Sequence, residues 1–231
     1  MNLLVNLPTR SRLEKCVNTL KMYHELSTYE NIRFVVSCDA DDLSMNNTDV
    51  INMISSFPST EIVFNENKIQ VGDQKSHFTT KISAINSGVI NQDFDVCLLA
   101  SDDMHPEVKG YDSMIINDMK KHFPDTDGVL WYNDGYQADK LNTLCIFGKK
   151  YYDRFKYIYH PSYITLYCDD EFTQVSQRLG KCKYINKTII RHKHWSHKDN
   201  LNERDHLDQK NDVFAGYDHA NFQKRQANDF A

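Results

Sequence analysis

The sequence predicts an α/β fold: a single domain built on a mostly parallel sheet with helices on both faces. Two observations predict it. Short runs that are apolar nearly throughout alternate with helical stretches over the first half of the chain. Strands buried on both faces read in this way. Polar clusters directly follow three of these runs: Thr9-Arg10, Asp39 to Asp42, and Asp102-Asp103. Open parallel sheets bind ligands just outside the carboxyl ends of their strands.

Leu3–Leu7 is the first expected strand, broken by Pro8-Thr9-Arg10. Ser11-x-x-Glu14 has the form of a capping box, and Leu13, Cys16, Val17 and Leu20 follow at helical spacing. Ile32–Cys38 is the second strand. Val50, Met53, Ile54 and Phe57 mark a short helix, and Glu61–Asn65 is the third strand. Ile82, Ile85 and Val89 mark another helix. Val96–Ala100 is the fourth strand and stops at Ser101-Asp102-Asp103. The second half is less regular. Val129–Tyr132 and Thr143–Phe147 read as strands, and Asp170–Leu179 as a helix.

A chain of 231 residues supports one sizeable core. Its composition, 40% hydrophobic and 26% charged, is that of a globular protein rather than a disordered one. A net charge of −5 argues against a broad nucleic-acid-binding surface. The six cysteines form no C-x-x-C pair, which predicts reduced, mostly buried thiols in a cytoplasmic protein and argues against a zinc site. No apolar run approaches the roughly 20 residues of a membrane span, and the N-terminus lacks the pattern of a secretion signal.

Two adjacent carboxylates at a strand end repel each other unless a cation neutralises them. Asp102 and Asp103 therefore read as a site for a hard cation, Mg²⁺ or Mn²⁺, which could clamp a diphosphate. The competing reading is an acidic surface turn. The position of the pair after a buried strand favours the site. His192, His194 and His197 lie in the stretch from Lys181 to Lys198, which has six basic residues and no acid. In an extended segment, His192 and His194 share a side. They suit further metal ligation, or they belong to a solvated basic strand. Asp169, Asp170 and Glu171 open a helix, where acids cap well; one of them could equally serve as a general base. Asp39 and Asp41 suit a turn, or hydrogen bonds from a base or ribose. Arg10 and Lys81 are phosphate contacts or ordinary surface cations. Trp131, Asn133 and Asp134 combine an aromatic face with polar groups, which suits a sugar acceptor or a tyrosine-rich core.

Together these segments resemble the family 2 glycosyltransferases of GT-A fold. Pro8-Thr9-Arg10 is similar to the family's opening loop, and Phe34 to Asp39 to its second strand with a base-contacting acid. Lys81-Ile82-Ser83-Ala84-Ile85-Asn86-Ser87-Gly88 resembles its K-x-x-A-x-N-x-G helix. Leu98 to Asp103 resembles the strand with a D-x-D-type metal motif, here S-D-D. Asp169-Asp170-Glu171-Phe172 resembles the catalytic-base segment, and the late histidines resemble the His that joins the metal. The resemblance implies a nucleotide-sugar donor, a UDP-sugar first. It implies Mn²⁺ or Mg²⁺ on Asp103 with His194 or His192, Asp102 on ribose or metal, and Asp170 as the base with Asp169 and Glu171 as rivals. It also implies inversion by a single displacement.

The GT-A domain is expected over residues 1–200, with a nucleotide-sugar-binding half over about 1–110 and an acceptor-binding half over 111–200. Residues 201–231 are expected to pack on it as a tail. The expected acceptor is a glycan, a lipid-linked sugar, a protein or, if the source is viral, a hydroxymethylated base in DNA. A nucleotidyltransferase of the same fold is the alternative, although the L-P-T-R-S-R loop lacks the glycines that such enzymes use around phosphate. A non-catalytic nucleotide- or sugar-binding module is the other.

Overall fold

A computed structural model of the chain describes residues 1–68, 79–197 and 204–231. The expected start of the tail at residue 201, and Lys198 at the end of the basic run, lie outside the described residues.

The first half runs β1 (Leu3–Pro8), α1 (Leu13–Leu26), β2 (Ile32–Asp39), α2 (Thr48–Ser55), β3 (Thr60–Asn65), α3 (Lys81–Ser87) and β4 (Val96–Leu99). Then come β5 (Met104–Pro106), α4 (Tyr111–His122), β6 (Val129–Tyr132), β7 (Ile146–Gly148), α5 (Lys149–Tyr152) and α6 (Cys168–Arg178). The chain closes with β8 (Cys182–Ile185), β9 (Ile190–His192), α7 (His206–Asp212) and α8 (Ala215–Ala227). A seven-stranded sheet has the order β3-β2-β1-β4-β7-β6-β8, and β5 and β9 form a separate ribbon. Strands β1 to β4 pair in parallel, as do β6 and β8. Only β7 runs against its neighbours in this sheet.

Alternation along the strands builds the two layers. Leu3, Val5 and Leu7 of β1 and Val96 and Leu98 of β4 join Cys16, Leu20 and Tyr23 of α1 and Ile115 and Met119 of α4 in one core cluster. Leu4 of β1 and Cys97 and Leu99 of β4 turn the other way, onto Ile82 and Ile85 of α3 and Phe172 of α6. The six cysteines are free thiols, and all but Cys182 are buried.

Two local expectations are corrected. Ser11 does not cap α1. It takes φ of 54°, and its N–H and hydroxyl donate to Asp42 at 2.6 and 3.2 Å. Helix α1 instead begins after Arg12, without a side-chain cap. Trp131 is a β6 core residue, 3% exposed, with its ring edge-on to Tyr184.

Helix α3 shows how the K-x-x-A-x-N-x-G segment works. Thr80 caps it in a reciprocal box with Ser83. The Asn86 amide accepts from the Ile158 and Tyr159 N–H groups and donates to the Tyr159 carbonyl, which fixes the loop that approaches α6. Gly88 lies so close to Asn6 of β1 that any Cβ there would strike the Asn6 amide. That buried amide donates to the Ile85 carbonyl at 2.8 Å and ties α3 to β1.

Candidate active site

The parallel strands end on a cavity of ≈ 260 Å³. Pro8, Thr9 and Arg10 enter it from the end of β1, Asp39 from β2, and Ser101, Asp102 and Asp103 from the end of β4. Lys81 and Ala84 line it from α3, Asp169 from α6, and His192 and His194 from β9 and the residues after it. Residues some 180 positions apart in the chain thus meet at one sheet edge, as the open α/β topology dictates.

Asp102 is buried, and both of its oxygens are engaged. Thr9 donates to Oδ2 at 3.1 Å and Arg12 to Oδ1 at 3.3 Å, while Thr19 holds its backbone carbonyl at 2.9 Å. Burial pushes its carboxyl up to about 6, against the pull of Arg12. Asp103 goes the other way. Burial would raise it, but His192, and then the Ser101 hydroxyl, hold it well below the usual carboxylate range. The two neighbours differ because each faces different charges.

The β5–β9 ribbon brings His192 to Asp103. Met104 pairs with His192 in register, and the Asp103 carbonyl accepts from the Lys193 N–H at 2.8 Å. His192 Nε2 lies 3.4 Å from Asp103 Oδ2, and its Nδ1 lies 3.9 Å from Asp134 Oδ2. Burial lowers the imidazole pKa, but the Asp103 charge outweighs it and the net shift is upward. His194 has its ring 5.5 Å from that of His192 and is pushed down to about 4 by burial and by the His192 charge. Among the described residues, no three His, Cys, Asp or Glu side chains gather as a metal cage. Asp103 and His192 instead offer one carboxylate and one imidazole on the cavity wall. The Nδ1 of His192 is buried without a hydrogen-bond partner, beside the Asp134 carboxylate. That donor set fits a Mg²⁺- or Mn²⁺-like cation that takes its other ligands from phosphate and water.

Arg10 donates through Nη1 to Asp39 Oδ2 at 2.7 Å, Asp41 Oδ1 at 2.6 Å and Thr79 Oγ1 at 3.2 Å. Asp39 also accepts from Asn65 at 2.9 Å. Asp41 itself is exposed and does not line the cavity. Lys81 is exposed at the cavity, and its charge reaches Asp103 and His192.

The three acids of α6 separate clearly. Asp169 lines the cavity. Asp170 does not, and burial with the Asp169 charge pushes its carboxyl up to about 6. Glu171 is buried in an ion pair: Arg225 donates to Oε2 at 2.7 Å and Oε1 at 2.9 Å, and Tyr163 to Oε2 at 2.8 Å. It therefore braces α8 against α6 and is removed from the set of candidate bases. Tyr167, just before α6, holds φ of 62°, an uncommon conformation for a non-glycine residue beside a site acid.

The acceptor-side expectation is also revised. Besides Trp131 in the core, Asn133 turns back onto Asn186 and the Gly135 N–H, at 3.0 and 2.8 Å. Buried Asp134 accepts from the Tyr136 and Gln137 N–H groups and the Thr143 hydroxyl. None of the three lines the cavity. Sequence reasoning also missed Arg12 and α7. Leu207, Asp208, Lys210, Asn211 and Asp212 form a cavity wall, and Arg12 joins that wall to Asp102. The available signals were a second arginine in the loop after β1 and the Asp205-x-x-Asp208 capping pattern.

No family model matches the chain, and no curated protein matches it in sequence. Solved structures do match it. One is the mannosyltransferase PcManGT from Pyrobaculum calidifontis in complex with GDP-Man and Mn²⁺. It aligns at TM-score 0.57 and 12% identity, over 81% of this chain and 55% of that one. S. aureus TarS 1–349 in complex with UDP aligns at 0.62 and 11% identity, over 83% and 60%. Its complex with UDP-GlcNAc aligns at 0.61 and 14% identity, over 83% and 58%. The chain has the GT-A fold of these glycosyltransferase structures. It spans little more than half the length of these three chains. Among the described residues, no helix is long and apolar enough to cross a membrane.

Proposed function

We propose that the chain is a metal-dependent, inverting glycosyltransferase that takes its sugar from a nucleotide-sugar donor. The observation that carries this reading is the meeting of Arg10, Asp39, Asp102, Asp103 and His192 on one cavity at the carboxyl ends of the parallel strands. The GT-A fold adds support, because PcManGT was solved with GDP-Man and Mn²⁺ and TarS with UDP-GlcNAc.

In this reading Asp39 and Arg10 receive the nucleoside, and Asp102 the ribose. Asp103 and His192 hold a Mn²⁺ or Mg²⁺ ion, which when bound neutralises charge on the departing diphosphate. Lys81 adds a positive charge to the same end of the cavity. Asp169 faces the cavity and takes the proton of the acceptor hydroxyl. Proton removal and sugar transfer in one displacement need no enzyme nucleophile.

A glycan hydroxyl is the favoured acceptor over a modified DNA base. Two cations of the basic run are already neutralised within the protein, Lys181 by Asp127 at 2.8 Å and Arg191 by Glu107 at 2.6 Å. A donor screen tests the reading. UDP, GDP, CDP and their common sugars are titrated by thermal shift with Mn²⁺, in wild type and Asp103→Ala. A metal-dependent rise in Tm for one nucleotide, lost in the variant, is the expected result. No shift with any nucleotide, far above ordinary dissociation constants, would sink the transferase reading. Binding without turnover across an acceptor panel would leave a non-catalytic module.

A further inference from the structure

Helix α7 walls the cavity, yet none of its residues is buried. Hydrophobic packing, which normally holds a short helix in place, is therefore weak here. Charge takes over. Arg12 donates through Nε to Asp205 Oδ2 and through Nη2 to Asp205 Oδ1, both at 2.7 Å. Nη2 also reaches Asp208 Oδ1 at 2.7 Å, and Nη1 reaches Asp102 Oδ1 at 3.3 Å. One guanidinium thus spans from the acidic pair after β4 to the first turn of α7. Its side chain is only 13% exposed, so water screens these bonds less than it would on an open surface. Arg204, just ahead of α7, pairs with Asp212 within the same segment. Two ties from α7 to other elements are longer: Lys15 lies 3.5 Å from Asp205, and Thr165 donates to the Asn211 carbonyl at 3.2 Å.

We infer that Arg12 is a positioning residue that latches α7 over the cavity, so that α7 forms part of the closed donor site. The chain direction supports this. Ser11, with φ of 54°, turns the loop between Arg10, which serves the Asp39 side, and Arg12, which serves the Asp102 and α7 side. Asp205 and Asp208 also cap α7 in a reciprocal box. The two carboxylates thus start the helix and fasten it. A ligand that binds the latched arrangement more tightly than the open one must in turn slow the opening of α7.

The role of α7 in donor binding rests on the transferase reading, whereas the latch itself does not. The test is amide hydrogen exchange on the full chain, for wild type, Arg12→Gln and the double variant D205N/D208N. Asparagine keeps both caps while removing the charges, so the double variant guards against a simple folding failure. In the free protein, exchange over α7 is expected to rise by about tenfold or more in both variants, as a loss of about 1.4 kcal/mol gives. Exchange in β1 and β4 should stay unchanged. Saturating UDP or GDP with Mn²⁺ should slow α7 exchange in the wild type. Wild-type exchange over α7 in both variants would overturn the latch. A nucleotide that binds without slowing α7 would overturn its place in the donor site. If neither nucleotide binds, the transferase reading fails instead, and the free-protein comparison still decides the latch.

Discussion

The Nε2 of His192 lies 3.4 Å from the Oδ2 of Asp103, and this contact joins β9 to the end of β4 on the cavity wall. It pairs an imidazole with a carboxylate that stays ionised throughout the neutral range. The far nitrogen of the ring faces Asp134, which sits in a fixed turn. A carboxylate behind a ligating histidine sets its tautomer and basicity. Asp103→Ala and His192→Ala are therefore expected to abolish specific Mn²⁺ binding. Asp134→Asn should weaken it by about 10- to 100-fold. Free Mn²⁺ counted by electron paramagnetic resonance during a titration measures this directly. Wild-type affinity in His192→Ala would remove the histidine from the metal site.

Asp170 gives a pH-dependent stability. Burial, and then the Asp169 charge, raises its carboxyl from 3.8 to about 6. The folded protein thus holds this proton more tightly than the unfolded chain does. The resulting stability is fully present below about pH 4 and is lost as pH rises through about 6. Asp170→Asn removes the charge responsible for that loss. The variant should melt level with wild type near pH 4 and above it near pH 8. The gain should be about 1–2 kcal/mol, after allowance for solvent around a partly exposed group. Calorimetry at the two pH values decides it, and a variant that melts below wild type near pH 8 would contradict it.

Much of this fold was legible in the sequence, because β1, β2 and β4 are buried over most of their length and read as runs that are apolar nearly throughout, interrupted by Asn6 in β1 and by Arg33 and Ser37 in β2. The strand-end clusters were legible for the same reason, since the topology fixes where such ends point. Glu171 was not legible. Its partner Arg225 lies 54 residues away, and an acid in the first turn of a helix looks alike whether it caps, catalyses or pairs. Trp131 and its neighbours misled because an aromatic beside Asn and Asp suits a sugar as well as a core strand. Helix α7 escaped because it has no buried face, so no apolar period betrays it. Arg12 escaped with it, because its partners on α7 lie more than 190 residues away.

Gly88 yields a sharp packing test. Its backbone, with φ of −65°, suits any residue, and alanine there would ordinarily stabilise by about 0.4–1 kcal/mol. The added Cβ would instead run into the Asn6 amide, which is buried and bonded to the Ile85 carbonyl. Overpacking of this kind costs about 1–3 kcal/mol, so the net effect of Gly88→Ala should be destabilising. Gly216 in α8 is the control, since nothing lies within 4 Å of a Cβ there. Gly216→Ala should be neutral or stabilising. Urea midpoints for the two variants, at equal m-values, make the comparison. Equal midpoints would mean that α3 can slide away from β1 at little cost.

Asp169 separates chemistry from binding. It lines the cavity, whereas Asp170 lies outside it and Glu171 is held by Arg225. A general base acts on the proton that moves in the transition state and adds little to ground-state donor affinity. Asp169→Asn should therefore lower the rate of sugar transfer by about 10²–10⁴-fold. The donor dissociation constant should hold. Asp170→Asn should keep most of its turnover, and Glu171→Gln should lose stability before it loses chemistry, because it weakens a buried ion pair. Single-turnover release of the nucleoside diphosphate, with donor affinity measured separately, distinguishes the three. Full turnover in Asp169→Asn with a dead Asp170→Asn would move the base one residue along α6, and would require that helix to rotate when donor and acceptor bind.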